Sequence, residues 1–124
     1  MKILLLMILA HVVDDFVLQP QCLSDLKQKD WWYKKGIWKG IYKTDYLCAG
    51  LIHALSWSVM ISMPLLFLGD IQGSKGFYFG VWIIINTVIH FIVDNLKANL
   101  GVINLWTDQG IHFVQILVFY EIFT

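Results

Sequence analysis

The chain is expected to fold as an all-α membrane protein. It should form one domain over residues 1–124, a bundle of four transmembrane helices with an interfacial amphipathic segment between helices 1 and 2. Three features carry that expectation. First, 58% of the residues are hydrophobic and the mean hydropathy is +0.65. A soluble domain is roughly 45–50% apolar, and a core of this size could not hide the excess. Second, the charged residues, 15% of the chain, cluster between long apolar segments. Third, all four histidines fall within those segments, and three of them have an aspartate four residues away.

The first apolar segment runs over about residues 2–18. Met1, Lys2 and the run from Ile3 to Ala10 have the make-up of a signal peptide. No small-residue cleavage site follows, and the run continues past His11 to Leu18, so it reads as a retained first span. The second and third segments cover about 46–68 and 77–96, within the roughly 17–25 residues that a crossing needs. The fourth covers about 109–123. The first and fourth are short, which calls for a locally thin bilayer or contacts within the protein.

Between the first two segments, Gln19 to Asp45 holds Lys27, Lys29, Lys34, Lys35, Lys39 and Lys43 among Trp31, Trp32, Tyr33, Trp38 and Tyr42. Aromatic rings and long amines settle at a headgroup boundary. Part of this stretch should lie there as an amphipathic helix, the alternative being a plain basic loop. With Lys97, seven of the nine lysines flank the first and third connections, and only Lys2 and Lys75 lie on the other side. The excess places those connections in the cytoplasm and both termini outside it. The protein is then multi-pass in a cytoplasmic membrane. A net charge of zero gives no reason to expect nucleic acid as a partner. Cys22 and Cys48 have no framework spacing and read as free thiols.

The chemistry lies in His11-x-x-x-Asp15, His90-x-x-x-Asp94 and Asp108-x-x-x-His112. Residues four apart share a helix face, so each pair aims an imidazole and a carboxylate at one spot. Gln19 extends the first stripe, Asn86 extends the third, and Gln109 follows Asp108. Measured from the expected helix ends at about 1.5 Å per residue, His11, His53, His90 and His112 share one layer of the cytoplasmic leaflet. The two hairpins repeat the same plan, a His-x-x-x-Asp helix followed by a helix with one histidine.

Ionisable groups inside a membrane are costly and mark functional sites. His11, Asp15, His53, His90, Asp94, Asp108 and His112 are therefore the expected metal ligands, with Asp14, Gln19, Asn86 and Gln109 supporting them. Histidine with aspartate suits zinc first, then iron or manganese, as one ion or two. Asp15 or Asp94 would serve as general base if it is not a ligand. A hydrogen-bonded polar network without metal and a bis-histidine haem are the other readings. Asp14 is expected to face away from Asp15, Trp57 to be packing, Glu121 to be solvated, and Lys97 to anchor among phosphates, the alternative being a pair with Asp94.

The string His11-x-x-x-Asp15-Phe16-x-Leu18-Gln19, His53, His90-Phe91-x-x-Asp94-x-x-Lys97 and Asp108-Gln109-x-x-His112 resembles the domain-of-unknown-function family 3307. That resemblance implies a small integral membrane protein of bacteria or their phages, in the bacterial inner membrane, and implies no activity. The motifs themselves suggest a metal-dependent hydrolase acting on a lipid or membrane-associated substrate. A metal-ion or proton transporter or channel and a non-enzymatic membrane partner are the alternatives. A homo-oligomer is compatible with such short helices.

Overall fold

The structure is a computed structural model that describes residues 1–37 and 39–124, with only the backbone of Ile41. Trp38, one of the aromatics expected at the headgroup boundary, lies outside the described residues. Helix accounts for 83% of the described residues and no strand occurs among them, so the expected all-α class is what the chain adopts.

The first apolar segment forms α1 (Lys2–Val13) and runs on into a π-helical turn, Asp14–Leu18. The turn stops at Pro20, because the residue before a proline is pushed out of the helical region; Gln19 is extended, at φ −77° and ψ 99°. The basic stretch folds as two short helices rather than one amphipathic helix, α2 (Gln21–Leu26) and α3 (Lys29–Lys34), then a 3-10 turn, Gly40–Thr44. Six residues are too few to hold a helix without tertiary support, and Asn99 supplies it. Its side chain accepts from the Lys29 backbone N–H at 2.7 Å and donates to the Lys27 carbonyl at 3.1 Å. The Trp32 indole donates to the Leu26 carbonyl at 2.7 Å and holds α3 back against α2.

The remaining helices are α4 (Asp45–Leu68), α5 (Ser74–Ala98) and α6 (Leu105–Phe123). Each lies within four residues of its expected bounds. A Cβ at Gly69 would stand 2.5 Å from the Leu65 carbonyl oxygen, so only glycine lets α4 end there. Asn104 caps α6 by accepting from the Thr107 N–H at 2.9 Å. Two stretches, Tyr42–Leu68 and Ser74–Ala98, are long and apolar enough to cross a membrane, each with a mean hydropathy of 1.8.

The long helices run alternately up and down. α4 packs most extensively on α5 and then on α1, while α6 closes the bundle against both α5 and α1. The chain starts and ends at the same end of the bundle, where the N-terminal ammonium donates to the Tyr120 hydroxyl at 2.9 Å. That half of the core is apolar: Met7, Ile61, Leu65, Phe79, Ile116, Phe119 and Phe123 are buried together, with Trp57 on its inner edge. The outward faces are apolar too, with Leu5, Leu9, Phe67, Ile84, Ile92 and Val114 all exposed. The buried charged and imidazole groups gather in the opposite half, beneath α2 and α3.

Candidate metal centre

Four helices bring the histidines together. His90 stacks on His112 with ring centroids 4.1 Å apart, and Trp57 stacks on His90 at 4.3 Å while lying 5.3 Å from His112. His53 meets His90 edge-on, their Nε2 atoms 3.3 Å apart. His11 lies edge-on to both Trp57 and His112. All four rings are buried.

Hydrogen bonds fix the tautomers of two of them. An indole N–H can only donate, and Trp57 Nε1 lies 2.8 Å from His11 Nδ1. His11 therefore carries its proton on Nε2 and donates it to Gln109 Oε1 at 3.1 Å. Gln109 turns its NH₂ toward Asp15 and Asp108. On the other side, Gln115 donates to the Asn86 backbone carbonyl at 3.2 Å, which points its own oxygen at His112 Nδ1, 3.1 Å away. His112 Nδ1 is thus the donor. Its Nε2 faces two carboxylate oxygens, Asp108 Oδ1 at 3.5 Å and Asp94 Oδ1 at 3.7 Å, and has no hydrogen-bond partner. A neutral imidazole would present a lone pair to acceptors there, so a proton or a metal cation must stand between them.

The carboxylates come from three helices. Asp94 Oδ2 lies 3.5 Å from His53 Nε2 and 3.9 Å from His90 Nε2. Asp15 Oδ1 lies 3.6 Å from His53 Nε2 and is buried without a hydrogen-bond partner. Asp14 is a correction: it does not face away but is buried, 3.8 Å from His53 Nδ1, and accepts from the Ser56 hydroxyl at 2.9 Å. The π-helical turn is the reason. In an α-helix successive residues diverge by about 100°, whereas the wider turn brings Asp14 and Asp15 to opposite nitrogens of one imidazole.

Two groups offer ligand atoms within 4.8 Å of one another: Asp15 with His53 and His90, and His90 with Asp94 and His112. His11 and Asp108, expected as ligands, stand outside both groups. Both nitrogens of His11 are engaged by Trp57 and Gln109. Asp108 holds Lys97 and Gln109 through Oδ2. Of the expected supporting residues, Gln109 bridges His11 to the carboxylates, Asn86 anchors Gln115, and Gln19 accepts from Lys27 at 3.3 Å.

Sequence reasoning passed over Lys27. It is 9% exposed, and its ammonium lies 2.6 Å from Asp94 Oδ2. Nothing in the sequence separates it from five neighbouring lysines; its place follows from Asn99 pinning the Lys27 carbonyl and the Lys29 N–H. Gln115 was missed as well, although it follows His112 at the i, i+3 spacing of one helix face. Trp57 is more than packing, since a buried indole N–H needs an acceptor and finds it on His11. Lys97 does not reach out to phosphates; it turns inward to Asp108 Oδ2 and stands 4.0 Å from Asp94 Oδ1.

The charges do not balance. Asp14, Asp15, Asp94 and Asp108 face two ammonium groups, Lys27 and Lys97. With all four carboxylates ionised and the histidines neutral the cluster keeps two negative charges over, which one divalent cation or protons on its own groups would remove. A cavity of about 300 Å³ opens beside it, with Asp15, His53, Asp94, Lys27 and Lys97 in its wall.

No curated protein and no solved structure matches this chain. Residues 3–124 match the family described as protein of unknown function (DUF3307), nearly the whole length that carries the His/Asp string, and the chain belongs to that family.

Proposed function

We propose that the protein is a four-span helical membrane protein with an intramembrane divalent-cation site, and that it works as a metal-dependent hydrolase on a lipid or membrane-associated substrate. The observation that carries this is His112 Nε2, a buried ring nitrogen that faces Asp94 and Asp108 with no hydrogen-bond partner. Unpartnered oxygens on Asp14, Asp15 and Asp108 add to it, because buried acceptors with no donor are expensive unless a cation meets them.

The membrane reading draws support from the surface. Apolar side chains cover the outward faces of α1, α4, α5 and α6, which water would not tolerate over so much area. The two shorter helices, α1 with its π-helical turn and α6, pack against the two that are long and apolar enough to cross. Chain ends that meet at one end suit an even number of crossings. Seven of nine lysines lie at the end that holds the site, so that end is cytoplasmic and both termini lie outside, as in a bacterial inner membrane.

His90, Asp94 and His112, with His53 beside them, would hold the ion, zinc first by donor chemistry and iron or manganese next. Such an ion lowers the pKa of a bound water and polarises an ester, amide or phosphate group. The protein's own part is to place a base. Asp15 suits the role better than Asp94: it lines the cavity with one oxygen free, whereas Asp94 is held by Lys27. In hydrolysis Asp15 takes a proton from the attacking water, the water oxygen bonds to the acyl or phosphoryl centre, and the leaving oxygen or nitrogen departs with a proton. Gln109 keeps Asp15 in position, and His11 in turn holds Gln109.

Transport of a metal ion or proton is the weaker reading, because the half of the core beyond Trp57 is packed with apolar side chains and the buried hydroxyls of Ser58 and Ser62 there donate to carbonyls of their own helix. The test is release of a water-soluble product from ester, amide and phosphate lipids in mixed micelles. Hydrolysis that a chelator stops, and that Asp15→Asn lowers at least about a hundredfold, is expected for a general base. Chelator-insensitive turnover, or cation uptake into proteoliposomes without hydrolysis, would contradict it.

A further inference from the structure

The cavity beside the cluster shares Asp15, His53 and Asp94 with it and adds polar groups of its own. Two ammonium groups, Lys27 and Lys97, stand in its wall with the amides of Gln19, Gln28 and Gln109. Each ammonium has three N–H groups. Lys27 spends two on Asp94 and Gln19, and Lys97 turns to Asp108 while remaining 30% exposed, so both keep hydrogens for a further acceptor. The rest of the wall is Asp15, Ser24, His53 and Asp94, with Phe16, Ala98 and Leu105 as its apolar part. Phe16 and Leu105 are 62% and 55% exposed on the outer surface. The cavity therefore joins an inner pocket that carries both ammonium groups to the apolar exterior of the bundle. Its volume of about 300 Å³ admits a headgroup and not an acyl chain, which must pass out between Phe16 and Leu105.

We propose that this cavity binds a phosphorylated amphiphile, the phosphoryl oxygens on Lys27 and Lys97 and the apolar tail leaving past Phe16 and Leu105. The proposal rests on the cation-site reading in one respect. Four carboxylates against two ammoniums leave the cluster negative, and an anion enters more readily once a divalent ion has removed that excess. A neutral amphiphile would leave the lysine hydrogens unmet, and a soluble phosphate would leave the apolar exit unused.

The test is calorimetric titration of detergent-purified full-length protein with dihexanoylphosphatidic acid, dihexanoylglycerol and glycerol 3-phosphate. Cation-loaded and chelator-treated protein are run side by side, with metal content measured on both. Saturable binding of the phosphatidic acid is expected, with glycerol 3-phosphate at least about tenfold weaker and the diglyceride not binding. Lys27→Gln and Lys97→Gln should each weaken it about tenfold or more, while Lys27→Arg stays within about threefold. Each variant must elute as a monodisperse species, and loss of the effect at high salt in the unmodified protein gives a readout independent of folding. Equal binding of the diglyceride, equal binding of glycerol 3-phosphate, or no binding to either preparation overturns the proposal. Metal uptake without phosphatidic acid binding overturns it and leaves the hydrolase reading standing. Phosphatidic acid binding without any metal uptake upholds it and removes that reading.

Discussion

The two halves of the bundle are made from the same four helices and are held in opposite ways. In the apolar half, Met7, Ile61, Leu65, Ile116 and Phe119 are wholly buried and meet only by shape. In the polar half, buried side chains are set by directed contacts: Trp57 to His11 to Gln109 on one side, Asn86 to Gln115 to His112 on the other. Trp57 belongs to both, its ring in the apolar cluster and its N–H in the polar one. Shape packing tolerates small adjustments, whereas a directed network with unmet acceptors does not. The apolar half thus serves as the rigid floor, and the polar half is where a missing positive charge has consequences.

Substitutions can break that contrast, and the largest effect is expected at Asp94. Asp94→Ala should abolish cation binding and leave the Lys27 ammonium buried without its carboxylate, which costs on the order of 3–5 kcal/mol. Metal analysis together with thermal melting in detergent reads both effects. Next comes Gln115→Leu, which frees the His112 ring to change tautomer. A loss of about 10–100-fold in cation affinity is expected, as for other groups that orient a ligand histidine, with little change in melting.

Phe119→Ala should do the reverse. It removes packing from the apolar half, lowers stability by about 3 kcal/mol through the cavity it leaves, and leaves cation stoichiometry unchanged. The smallest effect belongs to Gly50→Ala. Its Cβ would meet the Phe91 ring at 3.1 Å, and the ring edge can shift by a few tenths of an ångström at a cost below about 1 kcal/mol. A large loss of cation affinity in Phe119→Ala, or none in Gln115→Leu, would show that the halves do not divide the work in this way.

Much of this arrangement was legible in the sequence, because helical spacing is a local property. The His-x-x-x-Asp pairs, their common depth, and three of the four long helices within a residue or three of their bounds follow from counting along the chain. The partners of those pairs did not, because they arrive from elsewhere. Lys27 reaches Asp94 across 67 residues, and Asn99 pins the segment that carries it from the far end of α5. The inward turn of Asp14 was hidden for another reason, since π-helical winding has no spacing signal and a 3.6-residue period sends that side chain elsewhere. His11 looked equivalent to His90 by motif; only the Trp57 N–H on its Nδ1 separates an orienting histidine from a ligand.

The central claim is that a divalent cation answers the two unbalanced negative charges at His112, Asp94 and Asp15. Elemental analysis of the detergent-purified protein beside its His90→Ala variant tests it most directly, since His90 belongs to both groups of candidate ligands. The account predicts one or two equivalents of a divalent transition metal per chain in the unmodified protein and a near-complete loss in a variant that still folds. No stoichiometric metal in the unmodified protein, or full retention after His90→Ala, would contradict it.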